Sequence, residues 1–266
     1  MSPSLFKNSS ILVTGASSGI GKCFAQELAR QGANLILTAR SQHELDKLAD
    51  ELRQQFSIAV HVIPADLAIP DIAKRLFSDI KSRNLSVDFL VNNAGFGKWT
   101  HFLEEELETY DHMLAVNISA LTQLTYLFLP KMLENKKGGI INVASTAAFQ
   151  PVPYIALYSA SKAFVLNLTE ALAAEYKHSG VHFMALCPGN TNTNFTKVAN
   201  ADTTGMSSMT PEHVVKSALN AFFRGAVYHV PGSANYFSAQ LSRLLPRQML
   251  TRIIANMFVK RIGKTS

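Results

Sequence analysis

Ile11-Leu12-Val13-Thr14-Gly15-Ala16-Ser17-Ser18-Gly19-Ile20-Gly21 decides how this chain is read. A short apolar run ends in a glycine-rich turn. The next stretch, Lys22 to Gln31, carries Phe24, Leu28 and Ala29 at helical spacing. Strand, glycine-rich turn and helix are the context that a phosphate-binding loop requires. Glycines let the main chain approach a pyrophosphate, and a helix N-terminus offers free N–H groups and a positive dipole end. Gly15, Ser17, Ser18, Gly19, Ile20 and Gly21 are therefore cofactor-binding candidates. A glycine-rich turn without a ligand has the same composition; its place directly after the first strand favours the binding loop.

Outward from this loop, strands and helices alternate. Residues 34–38, 59–63, 87–91, 139–143, 181–186 and 226–230 read as further strands, with helical patterns between them. Such alternation means a parallel sheet covered on both faces, in the α/β class. The expected architecture is a doubly wound sheet of about seven strands in one domain, residues 1–230. In such sheets ligands bind beyond the C-terminal strand ends.

The strand ends are informative. After the second strand comes Ala39-Arg40-Ser41, where an NAD site usually places a carboxylate for the ribose hydroxyls. No carboxylate is there to repel a 2′-phosphate, and Arg40 offers a charge-assisted bond to one. The sequence thus points to NADP(H), with Arg40 and Ser41 at the phosphate. Asp66-Leu67 ends the third strand, where Asp66 would meet the adenine or cap the next helix. Asn92-Asn93-Ala94-Gly95 ends the fourth. A helical pattern from about Asp111 to Glu134 holds Asn117, a poor helix former among apolar neighbours. Thr210 and Pro211 read as the cap and first turn of a later helix.

Tyr158-Ser159-Ala160-Ser161-Lys162 puts a phenol and an ammonium on one helix face. A phenol normally loses its proton near pH ~10, and a nearby cation lowers that value. Tyr158 is then suited to trade protons with a carbonyl or alcohol oxygen.

Composition bounds the remainder. The two cysteines, Cys23 and Cys187, lie in apolar surroundings without disulfide or metal-ligand spacing. No metal is expected. Residues 1–10 lack the apolar stretch of a signal peptide, and no run of eighteen apolar residues exists, so a cytoplasmic protein is the default. Net charge is +6, but no acidic residue follows Glu212; eight basic residues there leave −2 for residues 1–212. That slightly acidic body gives no support for nucleic-acid binding. Residues 231–266 repeat Leu241, Leu244, Leu245, Met249, Ile253, Ile254, Met257 and Phe258 at helical spacing, with basic residues between them. Such a basic amphipathic extension packs on the core or a second subunit, or lies on the inner face of a membrane as a peripheral contact.

Together these segments resemble the short-chain dehydrogenase/reductase family over roughly residues 8–230. Thr14-Gly15-x-x-x-Gly19-x-Gly21 matches its cofactor loop, and Asn92-Asn93-Ala94-Gly95 its fourth-strand motif. Asn117, Ser145, Tyr158 and Lys162 match its catalytic tetrad. Pro188, Gly189 and Thr191 match the segment that meets the nicotinamide. The resemblance implies a Rossmann-type fold, an NADP(H)-dependent interconversion of a carbonyl and a secondary alcohol, and a homodimer or homotetramer. It also implies that Lys162 lowers the pKa of Tyr158 and holds the nicotinamide ribose, that Ser145 bonds the substrate oxygen, and that Asn117 holds a water in a proton relay. A non-catalytic NADP(H)-binding sensor of the same fold is the alternative. Phe96, Trp99, Phe149, Tyr154 and Phe195, with Val152, flank the expected cleft as an apolar pocket for a lipid-like, 3-oxoacyl or steroid-like substrate. Asn190 stands where the family often has an apolar residue, and the loop at 192–210 carries Met206 and Met209 in place of a long lid helix.

Overall fold

The computed structural model describes residues 5–242 and 244–262; Arg243 and Lys264 of the basic tail lie outside them. Seven strands form one sheet in the order β3-β2-β1-β4-β5-β6-β7. They are β1 Ser10–Thr14, β2 Asn34–Thr38, β3 Val60–Val62, β4 Phe89–Asn92, β5 Gly138–Val143, β6 Val181–Leu186 and β7 Tyr228–His229. Every pairing is parallel. The order reverses between β1 and β4, so their C-terminal ends open a crevice at the switch point.

The strands read as unbroken apolar runs because both faces are buried. On one face Ile11, Val13, Leu35 and Leu37 pack under α1 (Gly19–Arg30), α2 (Gln42–Gln55) and α8 (Pro211–Phe223). On the other, Leu12, Ile36 and Leu90 meet α3 (Ile72–Ser82) and α5 (Leu121–Glu134). The alternation at residues 11, 12 and 13 is the two-residue period of a strand. Thr210 caps α8 as the sequence predicts, accepting from His213 N at 3.3 Å.

A buried polar ladder runs across the second face. Asn92 Nδ2 donates to Asn142 Oδ1 at 2.9 Å and to Thr125 Oγ1 at 3.2 Å. Asn142 Nδ2 donates to Thr169 Oγ1 at 2.9 Å, on α6 (Ala156–Glu175). β4, β5, α5 and α6 are thereby joined by side chains as well as by packing.

Two features differ from the sequence expectation. The helix around Asn117 starts earlier and is not uniform: α4 (Leu107–Leu114) passes through a π-helical segment, Ala115–Ala120, into α5. Wider π turns inside helices mark functional sites more often than chance. This whole stretch, Leu107–Glu134, is long and apolar enough to cross a membrane by composition, but Leu121, Leu124 and Phe128 are buried in the fold. The C-terminal extension is two helices, α9 (Ser233–Leu241) and α10 (Arg247–Ile262), because Pro246 interrupts the pattern. Between β6 and α8 lies one short helix, α7 (Phe195–Val198).

Candidate active site

The crevice is a cavity of about 730 Å³. Its first wall is the glycine loop. Gly15 has φ 65° and Gly19 φ 54°, in the left-handed region that side chains avoid. The side chain of the N-cap residue Ser18 makes no capping hydrogen bond, and the first turn of α1 holds no acid. Free N–H groups therefore face the cavity, where an anion is favoured. A clasp from β4 holds the loop: Asn93 Nδ2 donates to Thr14 O at 2.9 Å and Gly15 O at 3.2 Å. Thr14 Oγ1 accepts from Asn93 N and Ala94 N, both at 3.0 Å. Thr14 opens the loop motif, and its hydroxyl holds the β4 end rather than facing the cavity.

Gly15, Ser17, Ser18, Gly19, Ile20, Arg40, Ser41, Asp66, Leu67, Asn93, Ala94, Gly95, Pro188, Gly189 and Thr191 all line the cavity. Gly21 does not. A Cβ there would fall on the Gly15 carbonyl and the Asn93 amide, so its role is close packing of α1 under the loop. Asp66 does not cap the next helix, whose N-cap is Asp71. Its Oδ1 accepts from Ala68 N at 3.0 Å, in a turn at the cavity edge. Ser41 caps α2, accepting from Glu44 N at 3.4 Å, and the exposed Arg40 beside it makes no ion pair among the described residues. These residues fit a nicotinamide dinucleotide, with backbone donors and a helix dipole for its pyrophosphate.

The second wall carries the reactive groups. Ser145, Tyr158 and Lys162 line the cavity together. Ser145 follows β5 and caps a short 3-10 turn, accepting from Ala147 N at 3.1 Å. Tyr158 and Lys162 project from α6, with Lys162 Nζ 5.7 Å from the centre of the Tyr158 ring. Lys162 Nζ donates to Val143 O at 2.7 Å. Asn117 is buried behind them. Its Nδ2 donates to Phe96 O at 2.9 Å and Ser161 Oγ at 3.0 Å, and its Oδ1 accepts from Phe96 N at 3.1 Å. These bonds tie the loop after β4 to α6. Gly95 is small because a Cβ would lie 3.0 Å from Asn117 Oδ1 and 3.1 Å from Lys162 Nζ.

The electrostatics correct one expectation. Burial pushes the Tyr158 hydroxyl up to about 12, while its hydrogen bond with Ser145 acts to lower it. Desolvation thus outweighs the lowering by Ser145, and the hydroxyl lies above its ordinary value, not below it. Burial pushes Lys162 itself down to about 8. At neutral pH Tyr158 is a proton donor next to a cation. The depressed Lys162 pKa sets a stability slope. The unfolded chain keeps that proton up to its ordinary 10.5 while the folded chain releases it near 8. Between those values the unfolded state binds more protons, so stability from this residue rises with pH, by ~1.4 kcal/mol per unit at most. Wild type is expected to gain on Lys162→Met as pH rises from 8 to 10. Denaturant unfolding of both proteins checks it; a constant gap would contradict the burial of the ammonium.

Phe96, Trp99 and Phe195 line the cavity, and the Phe195 ring lies 5.5 Å from that of Tyr158. Phe149 and Tyr154 stand elsewhere. Phe149 packs on Tyr228, 6.1 Å between centroids. Tyr154, at φ 69°, turns to a smaller hollow of about 220 Å³ against His101. Val152 is core, under α10. Phe258 of α10 lines the cavity and was not foreseen there; its helical spacing with Leu250 and Ile254 was the available signal.

The family model for short chain dehydrogenases matches residues 9–204. The chain belongs to the short chain dehydrogenase family. It is an oxidoreductase of carbonyl and alcohol groups that uses a nicotinamide cofactor. The chain is 37% identical over 213 residues to a very-long-chain 3-oxoacyl-CoA reductase from Anas platyrhynchos, covering 78% of this chain and 67% of that protein. It is 34% identical to the 17-beta-hydroxysteroid dehydrogenase type 3 of Mus musculus, covering 81% and 69%. A short-chain dehydrogenase from Sphingobium yanoikuyae in complex with NADPH superposes with a TM-score of 0.81 at 32% identity, over 89% of this chain and 94% of that one.

Proposed function

We propose that the protein reduces the carbonyl of an apolar, lipid-like substrate, of 3-oxoacyl or steroid-like type, with NADPH. The observation that carries this is a single cavity that joins two chemistries. Backbone donors and Arg40 line one end; Ser145, Tyr158 and Lys162 stand beside Phe96, Trp99 and Phe195 at the other. The names of the two relatives support an apolar substrate.

The bound cofactor supplies the hydride and the chain supplies the proton and the geometry. Ser145 hydroxyl donates to the carbonyl oxygen, where negative charge develops. Tyr158 hydroxyl gives that oxygen its proton, producing the alcohol. The Lys162 cation stabilises the phenolate left behind. At neutral pH the Tyr158 hydroxyl carries the proton that this step delivers. Asn117 positions α6 through Ser161, whose Oγ donates to Tyr158 O at 2.7 Å.

Ketones and alcohols of graded apolar size, assayed with each cofactor, test the reading; a polyol preference or indifference to apolar size would overturn it. Arg40→Glu is expected to weaken NADPH binding by about tenfold to a hundredfold, since a charge-assisted bond worth ~1.5–3 kcal/mol gives way to repulsion. NADH binding should change little. Titration of nucleotide fluorescence measures both, and equal losses would reject the 2′-phosphate role.

Assembly as a homodimer or homotetramer is part of the same reading, supported by exposed Tyr126 on α5 and Phe164 on α6. A peripheral membrane contact through the tail has support in exposed Phe237, Leu244 and Met257. Liposome co-sedimentation of the full chain and of a chain ending at residue 240 separates that contact from simple packing.

A further inference from the structure

The far end of the cavity is closed by a segment outside the family match, which ends at residue 204. Phe258 on α10 lines the same cavity as Tyr158. Its ring rests on Trp99, with centroids 4.8 Å apart and planes at 48°. Leu250 and Ile254, two turns and one turn earlier on α10, pack on Val152 and Ile155 just ahead of α6. The helix carrying Phe258 is therefore seated on the chain that leads into Tyr158.

α10 is also bonded to the segment that follows α7. Arg261 Nη1 donates to the carbonyls of Asp202 at 2.9 Å and Thr204 at 3.0 Å. Val198, Thr203 and Met206 of that same segment line the cavity. Trp99 N closes the third side, donating to Ala199 O at 2.9 Å. Three distant pieces of chain, around residues 99, 202 and 258, thus form one end wall. Its apolar members face the space where a substrate tail must lie. Its polar bonds join the pieces to each other.

We propose that Phe258, seated on Trp99, sets the length of apolar chain that the cavity accepts, and that Arg261 is the positioning residue that ties this wall to the 198–206 segment. The proposal rests on the apolar-carbonyl reading above. A ring at the end of an apolar cavity blocks further methylenes. Removing it opens space, and each methylene then buried is worth about fourfold in kcat/KM.

The test uses the full chain, NADPH, and methyl ketones from hexanone to hexadecanone. Phe258→Ala is expected to raise the ratio of kcat/KM for the longest over the shortest ketone by about tenfold or more, the value of two or three added methylenes. Phe258→Trp is expected to lower that ratio, and it covers the case in which the alanine variant fails to fold. An active variant pair with the wild-type ratio overturns the proposal while leaving the function standing. A wild type that reduces none of these ketones, yet reduces a polar one, sinks both. For Arg261, the readout is hydrogen exchange of the 198–206 amides, which Arg261→Met should speed by about tenfold through local opening. Unchanged exchange there removes Arg261 from the proposal.

Discussion

Tyr158→Phe is expected to cost ~10²–10⁴-fold in turnover, the usual weight of a positioned acid or base, while NADPH binding holds. The substitution removes one oxygen and keeps the ring. The ring's packing on Phe195 survives, as does the Lys162 bond to the Val143 carbonyl. The glycine loop, Asn93 clasp and Arg40 lie on the other wall and lose nothing. A carbonyl oxygen would still meet Ser145 but would have no proton donor at hand. Steady-state rates and nucleotide titration on the same sample are the measurement. A variant with wild-type kcat would remove Tyr158 from the chemistry and revive a sensor role for the cavity.

Gly97→Ala is expected to cost about a hundredfold in turnover without touching Tyr158 itself, because ångström-scale misplacement of a reacting group has that price. A Cβ on Gly97 would sit 2.7 Å from Tyr158 Cδ2 and 2.9 Å from Cγ. Carbon atoms settle at about 3.5–4.0 Å, so the ring must retreat by roughly 1 Å. Gly97 has no positive φ, so alanine fits its backbone and the effect is steric. The prediction is a fall in kcat with nucleotide affinity retained. Gly97→Ser should behave alike, and a kcat within twofold of wild type in both would show that the ring has slack.

Much of this was legible in the sequence, for local reasons. The glycine loop, the strand-end Asn93 and the Tyr158–Lys162 pair announce themselves through short-range patterns. So do the strands, whose apolar runs fit a sheet buried on both faces. Arg40 is legible by what is missing beside it. The remainder depends on contacts between segments far apart in the chain. Nothing near Phe149 shows that it faces Tyr228 and not the cavity, and the left-handed backbone at Tyr154 turns that ring away. The π-helical segment holds Asn117 in bonds to Phe96 and Ser161, neither of them a neighbour in sequence. Burial is a sum over the whole fold, which is why the shift of Tyr158 had the opposite sign to that expected from Lys162 alone.

The ladder from Asn92 through Asn142 to Thr169 has a consequence for how this protein can change. Asn142 lies three residues before Ser145, and Thr169 lies on the helix that carries Tyr158. Sliding β5 or α6 by one residue would strand buried amide donors, each costing about 1–3 kcal/mol. The separation of the two reacting hydroxyls is therefore keyed from inside the fold, remote from the mouth of the cavity. The end wall makes no bond to that ladder and meets Tyr158 only through apolar packing, so substitutions at residues 99 and 258 can retune what is accepted while the keyed separation of the hydroxyls stays.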